Sequence, residues 1–160
     1  MFSELDDYLK EFEMDEYALD YWYDEGFSIA QDMLSQFIEE DWKQLKEQLS
    51  NRSLGWKRRL GYCLHDYESL KEIEILCELI DTEDDELFEI VIDSLRSHNI
   101  QMILNLNVIK QEHLKKIESK FSTSNTVEKK VMGDFLSKLD NGKRTVLVDS
   151  TYFEAISHEK

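Results

Sequence analysis

Apolar residues return every three to four positions along almost the whole chain, and no proline interrupts them. Proline inside a helix removes a hydrogen bond and clashes with the preceding turn, so its absence favours long helices over a strand-and-turn architecture. On a helical wheel, Leu19, Trp22, Tyr23, Gly26, Ile29, Ala30, Met33, Leu34 and Phe37 of the segment 15–38 gather on one side. Tyr17, Asp20, Tyr21 and Asp24 gather on the other. Gly26 weakens this helix by about 1 kcal/mol relative to alanine, which a closely packed neighbour makes tolerable.

A second helix is expected to begin near Glu40 and Asp41, whose charges suit the positive end of the helix dipole, and to turn Trp42, Leu45 and Leu49 inward. Ser50-Asn51-Arg52-Ser53 interrupts it, and a third helix carries Leu54, Trp56, Leu60, Cys63 and Leu64. Residues 67–80 place Leu70, Ile73, Leu76, Leu79 and Ile80 on one face. In the following turn, Thr82 and Asp85 have the spacing of a capping box. From 84 to 97, Leu87, Phe88, Val91, Ile92 and Leu95 form one arc, with Glu86, Glu89 and Asp93 opposite. Residues 99–107 read as irregular, and helices at 110–121 and 126–139 follow. Asp140-Asn141-Gly142 predicts a stop. Val146-Leu147-Val148 has no evident strand to pair with, so the rest reads as an extended peptide ending in a short helix at 151–157.

With 160 residues, 41% of them hydrophobic, the chain can bury one core without a metal or a disulfide. Cys63 and Cys77 fall among apolar residues, which predicts buried, reduced thiols and a cytoplasmic protein. The first residues have neither a basic stretch nor an apolar run, and no window approaches the length of a membrane span.

Charge is distributed in blocks. Residues 1–41 carry −13 and residues 66–98 carry −10, while the intervening 42–65 carry +5 and 99–160 carry +2. Such a field attracts basic proteins and repels nucleic acid and anionic lipid. Lys57, Arg58 and Arg59 lie beside Trp56, but between acidic blocks they are expected to be paired internally rather than to bind phosphate.

Catalytic chemistry finds no support. The four histidines, His65, His98, His113 and His158, lack the Glu-x-x-His and His-Glu-x-x-His spacings of di-iron and zinc sites. Read as a calcium loop from Asp81, the acidic turn has Glu86 where glycine belongs and Ile92 where the closing glutamate belongs. Five glycines supply no phosphate-cradling loop. Neither cysteine has surroundings that would ionise it. No catalytic residue, metal or cofactor is therefore expected, and the chain is not read as an enzyme.

A repetition runs through the helices: Leu49, Leu60 and Leu64 correspond to Ile80, Val91 and Leu95, and then Val131 and Phe135. Helix pairs returning at this interval predict an all-α fold, an irregular HEAT-like α-solenoid of stacked antiparallel helix pairs. The expected organisation is a single helical domain. Its parts are acidic N-terminal helices over 1–40, HEAT-like pairs over 41–98, a third pair over 99–139 and a C-terminal extension over 140–160.

The stretch Ile73–Arg96, with its leucine-rich first helix and Asp-containing turn, resembles a HEAT unit, although Val91 or Ile92 stands where such units carry a small residue. A more specific likeness joins Glu25–Leu34, Asp41–Leu45, Trp56–Leu64 and the pair ending Asp93-Ser94-Leu95-Arg96. Together these are similar to small bacterial immunity proteins of contact-dependent growth inhibition and related polymorphic-toxin systems. The resemblance implies binding and neutralisation of a cognate basic toxin domain, often a nuclease, by a monomer within a 1:1 complex. Occlusion of the active site is the expected mode.

Candidate partner-binding residues fall in three groups. Tyr17, Asp20, Tyr21 and Asp24 form an outward stripe of tyrosines on a charged face. Asp81, Glu83, Asp84, Asp85, Glu86, Glu89 and Asp93 present carboxylates that would steer a basic partner. Asp41 with Trp42 is the third, although a tryptophan there also fits a core position. The alternative to an immunity protein is an acidic α-solenoid adaptor, or a nucleic-acid mimic, that binds a cellular DNA-binding protein.

Overall fold

The structure, a computed structural model, describes residues 1–12, 18–64 and 69–157, without the side chains of 18, 19 and 143–157. Every regular element among them is helical. The chain divides into two compact units, Met1–His98 and Asn99–Lys160.

The first unit contains α1 (Phe2–Glu11), α2 (Ala18–Tyr21), a π-helical stretch (Trp22–Gly26), α3 (Phe27–Ser35), α4 (Glu39–Leu49), α5 (Leu54–Cys63), α6 (Leu70–Leu79) and α7 (Asp85–Ser97). At its centre lies α5, which packs on α1, α3, α6 and α7. Ser53 starts this helix by accepting the Trp56 N–H at 3.1 Å, satisfying a donor that the first turn leaves without a partner. Trp56, Leu60, Cys63 and the following Leu64 are fully buried. Each large apolar side chain so removed from water contributes about 1.5–3 kcal/mol.

Helix α7 approaches α5 closely at Gly61. A β-carbon there would stand 3.1 Å from Ile90 Cγ2. The buried Ser94 hydroxyl donates to the Gly61 carbonyl at 2.9 Å. The same contact seats Leu87, Phe88, Val91, Ile92 and Leu95 in the core, the arc expected from the sequence. His98 closes the unit, its Nε2 donating to the Leu64 carbonyl at 2.6 Å.

Segment 15–38 departs from a single helix. Its buried residues Trp22, Gly26, Ala30 and Leu34 recur every four positions, a spacing that on an unbroken α-helix drifts by about 40° per step. The π-helical turn absorbs this drift by admitting one extra residue. In consequence Tyr23 and Ile29, expected inside, are 51% and 36% exposed. The cap of α7 also moves: Asp84, not Thr82, accepts the Leu87 N–H at 2.8 Å, and Thr82 supports it by accepting the Asp84 N–H. Leu54 and Leu70, at the outer ends of α5 and α6, are exposed rather than inward.

The second unit contains α8 (Ile100–Leu106), α9 (Gln111–Thr123) and α10 (Thr126–Ser157). Residues 99–107 are thus not irregular. Asn99 caps α8 through its side chain, and Asn107, at φ 51°, ends it in the left-handed conformation that asparagine tolerates. Asn125 and Glu128 form a reciprocal cap at the start of α10, with Glu128 Oε2 accepting the Asn125 N–H at 3.0 Å. Helix α10 buries Met132, Phe135 and Leu139, and packs on α8 and α9.

The stop expected at Asp140-Asn141-Gly142 is absent, and α10 runs through it. No extended peptide follows over 143–150. Gly142 serves a different purpose here: it is buried, and a β-carbon on it would stand 2.7 Å from Leu104 Cδ1, so the missing side chain admits α8. With no proline downstream, nothing local forces the helix to end.

The Gly61 contact yields a direct test. Replacing Gly61→Val inserts three carbons where Ile90 already lies at contact distance, and overpacking of this kind costs about 1–3 kcal/mol. The urea midpoint should fall accordingly, and Ile90→Ala in the same chain should restore part of the loss.

Candidate interaction surface

Three arginines tie the centre of the first unit to its acidic flanks. Arg52 grips Asp6 of α1 in a two-pronged contact, Nε to Oδ1 at 2.6 Å and Nη2 to Oδ2 at 2.8 Å, while Lys10 adds a third bond at 2.7 Å. Arg58 does the same to Asp84, at 2.9 and 2.5 Å, and reaches Glu86 at 2.6 Å. Arg59 donates to the Phe12 carbonyl and lies over the rings of Trp22 and Phe12, 5.5 and 5.9 Å from their centroids. Planar guanidinium groups suit both fork-like carboxylate contacts and ring stacking, which ammonium groups do less well.

Two expected surface residues belong to the fold instead. Trp42 is buried, its ring edge-on to Phe37 at 5.0 Å. Asp41 accepts the N–H of Phe2 at 2.9 Å and of Ile38 at 3.1 Å, so it fastens α1 to the start of α4. Asp84 is likewise engaged as cap and as partner of Arg58.

The remaining candidates are on the outside. Asp20, Tyr21 and Asp24 are exposed, although Tyr21 also stacks on Phe12 with centroids 6.0 Å apart. Tyr17 lies outside the described residues. Asp81, Glu83, Asp85, Glu86 and Asp93 are exposed and Glu89 half-buried. Asp93 pairs with Arg96 at 2.5 Å. Among the described residues, Asp20, Asp24, Glu25 and Glu83 form no ion pair.

An aromatic cluster that the helical wheel does not predict joins α5 to the π-helical stretch. Tyr23, exposed by the π-helical turn, meets Tyr62 of α5 at 5.5 Å with planes 71° apart. Phe27 meets Tyr62 from its other neighbour at 6.2 Å and 75°. Burial first, then the charges of Tyr23 and Asp93, push the Tyr62 hydroxyl above its ordinary pKa. The available signal was Tyr62 two residues after the buried Leu60, off the inward face of α5.

A groove of about 390 Å³ runs along α4, α5 and the turn before α7, with Leu49, Leu79 and Leu87 at its base. Lys46 and Lys57 line it together with Glu78, Asp81 and Glu83. Among the described residues, no helix is long and apolar enough to cross a membrane. Cys63 and Cys77 are buried without a disulfide between them, and burial pushes the Cys77 thiol up to about 12.

Neither a protein-family model, nor a curated protein, nor a solved structure matches this chain.

The Arg58 guanidinium holds the Asp84 carboxyl below its ordinary value of 3.8. A carboxylate depressed by folding stabilises the native state above its unfolded pKa and loses that contribution as pH falls through the folded one. Asp84→Asn should therefore be less stable than the parent near neutrality, by about 1 kcal/mol for so accessible a pair. The two urea midpoints should converge as the pH drops below 3.8.

Proposed function

We propose that this chain is an immunity protein that binds a cognate basic toxin domain and neutralises it by covering the active site. A HEAT-like stacking of helix pairs is the architecture that belongs to this reading, with α6 and α7 as the pair that resembles such a unit. One observation carries the reading. Residues 1–98 bear a net charge of −18, yet Arg52, Arg58 and Arg59 are turned into the fold, while the carboxylates of Asp20, Asp24, Glu25 and Glu83 face outward and form no ion pair among the described residues. Such a surface steers a cationic protein into encounter and rejects nucleic acid, the anionic substrate of a nuclease toxin.

The test begins with gene context: a basic toxin domain encoded directly upstream should co-purify with this chain and lose its activity on mixing, and the absence of any such reading frame counts against the reading. A stable 1:1 complex supports the reading. Failure of the two proteins to associate at low ionic strength removes it, and binding to a cellular DNA-binding protein instead would favour the adaptor.

Charge reversal should act on the rate of encounter. Asp24→Lys combined with Glu83→Lys changes two exposed positions that form no ion pair among the described residues, so the fold and its urea midpoint should stay as they are. The association rate constant at low salt should fall by about tenfold, and the difference should shrink as salt screens the field.

A further inference from the structure

We propose that the groove lined by α4, α5, α6 and the turn before α7 binds an aliphatic chain with an ammonium at one end and a carboxylate at the other. A C-terminal lysine and a free ω-amino acid both have this chemistry.

The groove lies wholly within the first unit and is lined by charges of both signs. Its cations, Lys46 and Lys57, come from α4 and α5, whereas its carboxylates, Glu78, Asp81 and Glu83, come from α6 and the following turn. Lys46 and Glu78 meet at 2.7 Å and neutralise one another. Lys57 and Glu83 do not: both line the groove and neither forms an ion pair among the described residues, so their charged ends stand farther apart than a salt bridge spans. Lys57 thereby departs from the internal pairing expected of Lys57, Arg58 and Arg59. The two arginines are engaged within the fold, and the half-buried lysine is left over in a unit that carries −18.

Leucines supply the apolar part of the lining, with Leu49, Leu79 and Leu87 at the base and Leu54 49% exposed. The volume, about 390 Å³, falls within the range of about 300–1,000 Å³ usual for small-molecule sites. These features select among occupants. A simple anion is repelled by the net charge of the unit, and a simple cation leaves Lys57 unmatched while finding other exposed carboxylates as good. A wholly apolar ligand would strip water from both charges without pairing either, which is costly. A chain charged at both ends pairs each of them and lays its methylenes on the leucines, as lysine stems do along apolar surface.

The experiment titrates the full chain at low salt with ε-aminocaproate, following assigned backbone amide signals by NMR. Caproate and hexylamine serve as its single-ended counterparts. ε-Aminocaproate should move signals within 50–57 and 79–87 and bind about fivefold more tightly than either counterpart. Lys57→Met, which keeps the stem without the charge, should lower its affinity to that of hexylamine, and Glu83→Gln to that of caproate. Neither variant should shift the urea midpoint, since neither removes an ion pair. Nα-acetyl-lysine stands for a polypeptide end, and the tighter of the two double-ended ligands identifies the source.

Hexylamine binding as tightly as ε-aminocaproate means a general attraction to carboxylates and overturns the site. Unchanged ε-aminocaproate binding in both variants overturns it too, as does the absence of shifts in the two segments with either double-ended ligand. The toxin-binding reading depends on none of these results.

Discussion

Everything in the first unit hangs on three guanidinium groups placed around one buried helix. Two acidic blocks of −13 and −10 flank a segment of +5, and folding brings both blocks against that segment. Without Arg52 and Arg58, the buried Asp6 carboxylate would keep only Lys10 and the half-buried Asp84 would lose its counterion, a costly arrangement. Apolar burial along Trp56, Leu60 and Cys63 supplies the driving force, while Arg52 and Arg58 fix which neighbours α5 accepts and in which register. Hydrophobic attraction has no direction of its own, and the two-pronged contacts add it.

The same arrangement shapes the outside. Arg52 and Arg58 each withdraw one carboxylate along with their own charge, so the net charge is unchanged and is carried by the carboxylates left outside. Asp6, Asp41 and Asp84 serve the fold, whereas Asp20, Asp24, Glu25 and Glu83 remain toward solvent. These carboxylates of the first unit therefore fall into two populations, one engaged within the fold and one facing solvent.

Much of this was readable beforehand. The inward positions of α4 and α7, the burial of both cysteines and the internal role of Arg58 all follow from period and charge order. What escaped notice depends on contacts between distant segments. A wheel drawn over 15–38 assumes a constant period, and the π-helical turn that packs Trp22 against Phe12, 5.1 Å away, changes it midway. Tyr23, on the apolar side of that wheel, is 51% exposed. Asn-Gly near 141 signals a stop only when nothing rests on it, and Leu104 does. Asp84 and Thr82 both suit a cap, and only the position of Arg58 decides between them.

The π-helical turn carries one residue more than an ordinary helical turn would hold. Deleting a single codon within Trp22–Gly26 would return the segment to regular winding and swing its outer side chains by roughly a quarter turn, with α3 to α7 left as they are. The facing of Asp20 and Tyr21 is thus set by the length of one turn, while the packing around α5 is set elsewhere in the chain.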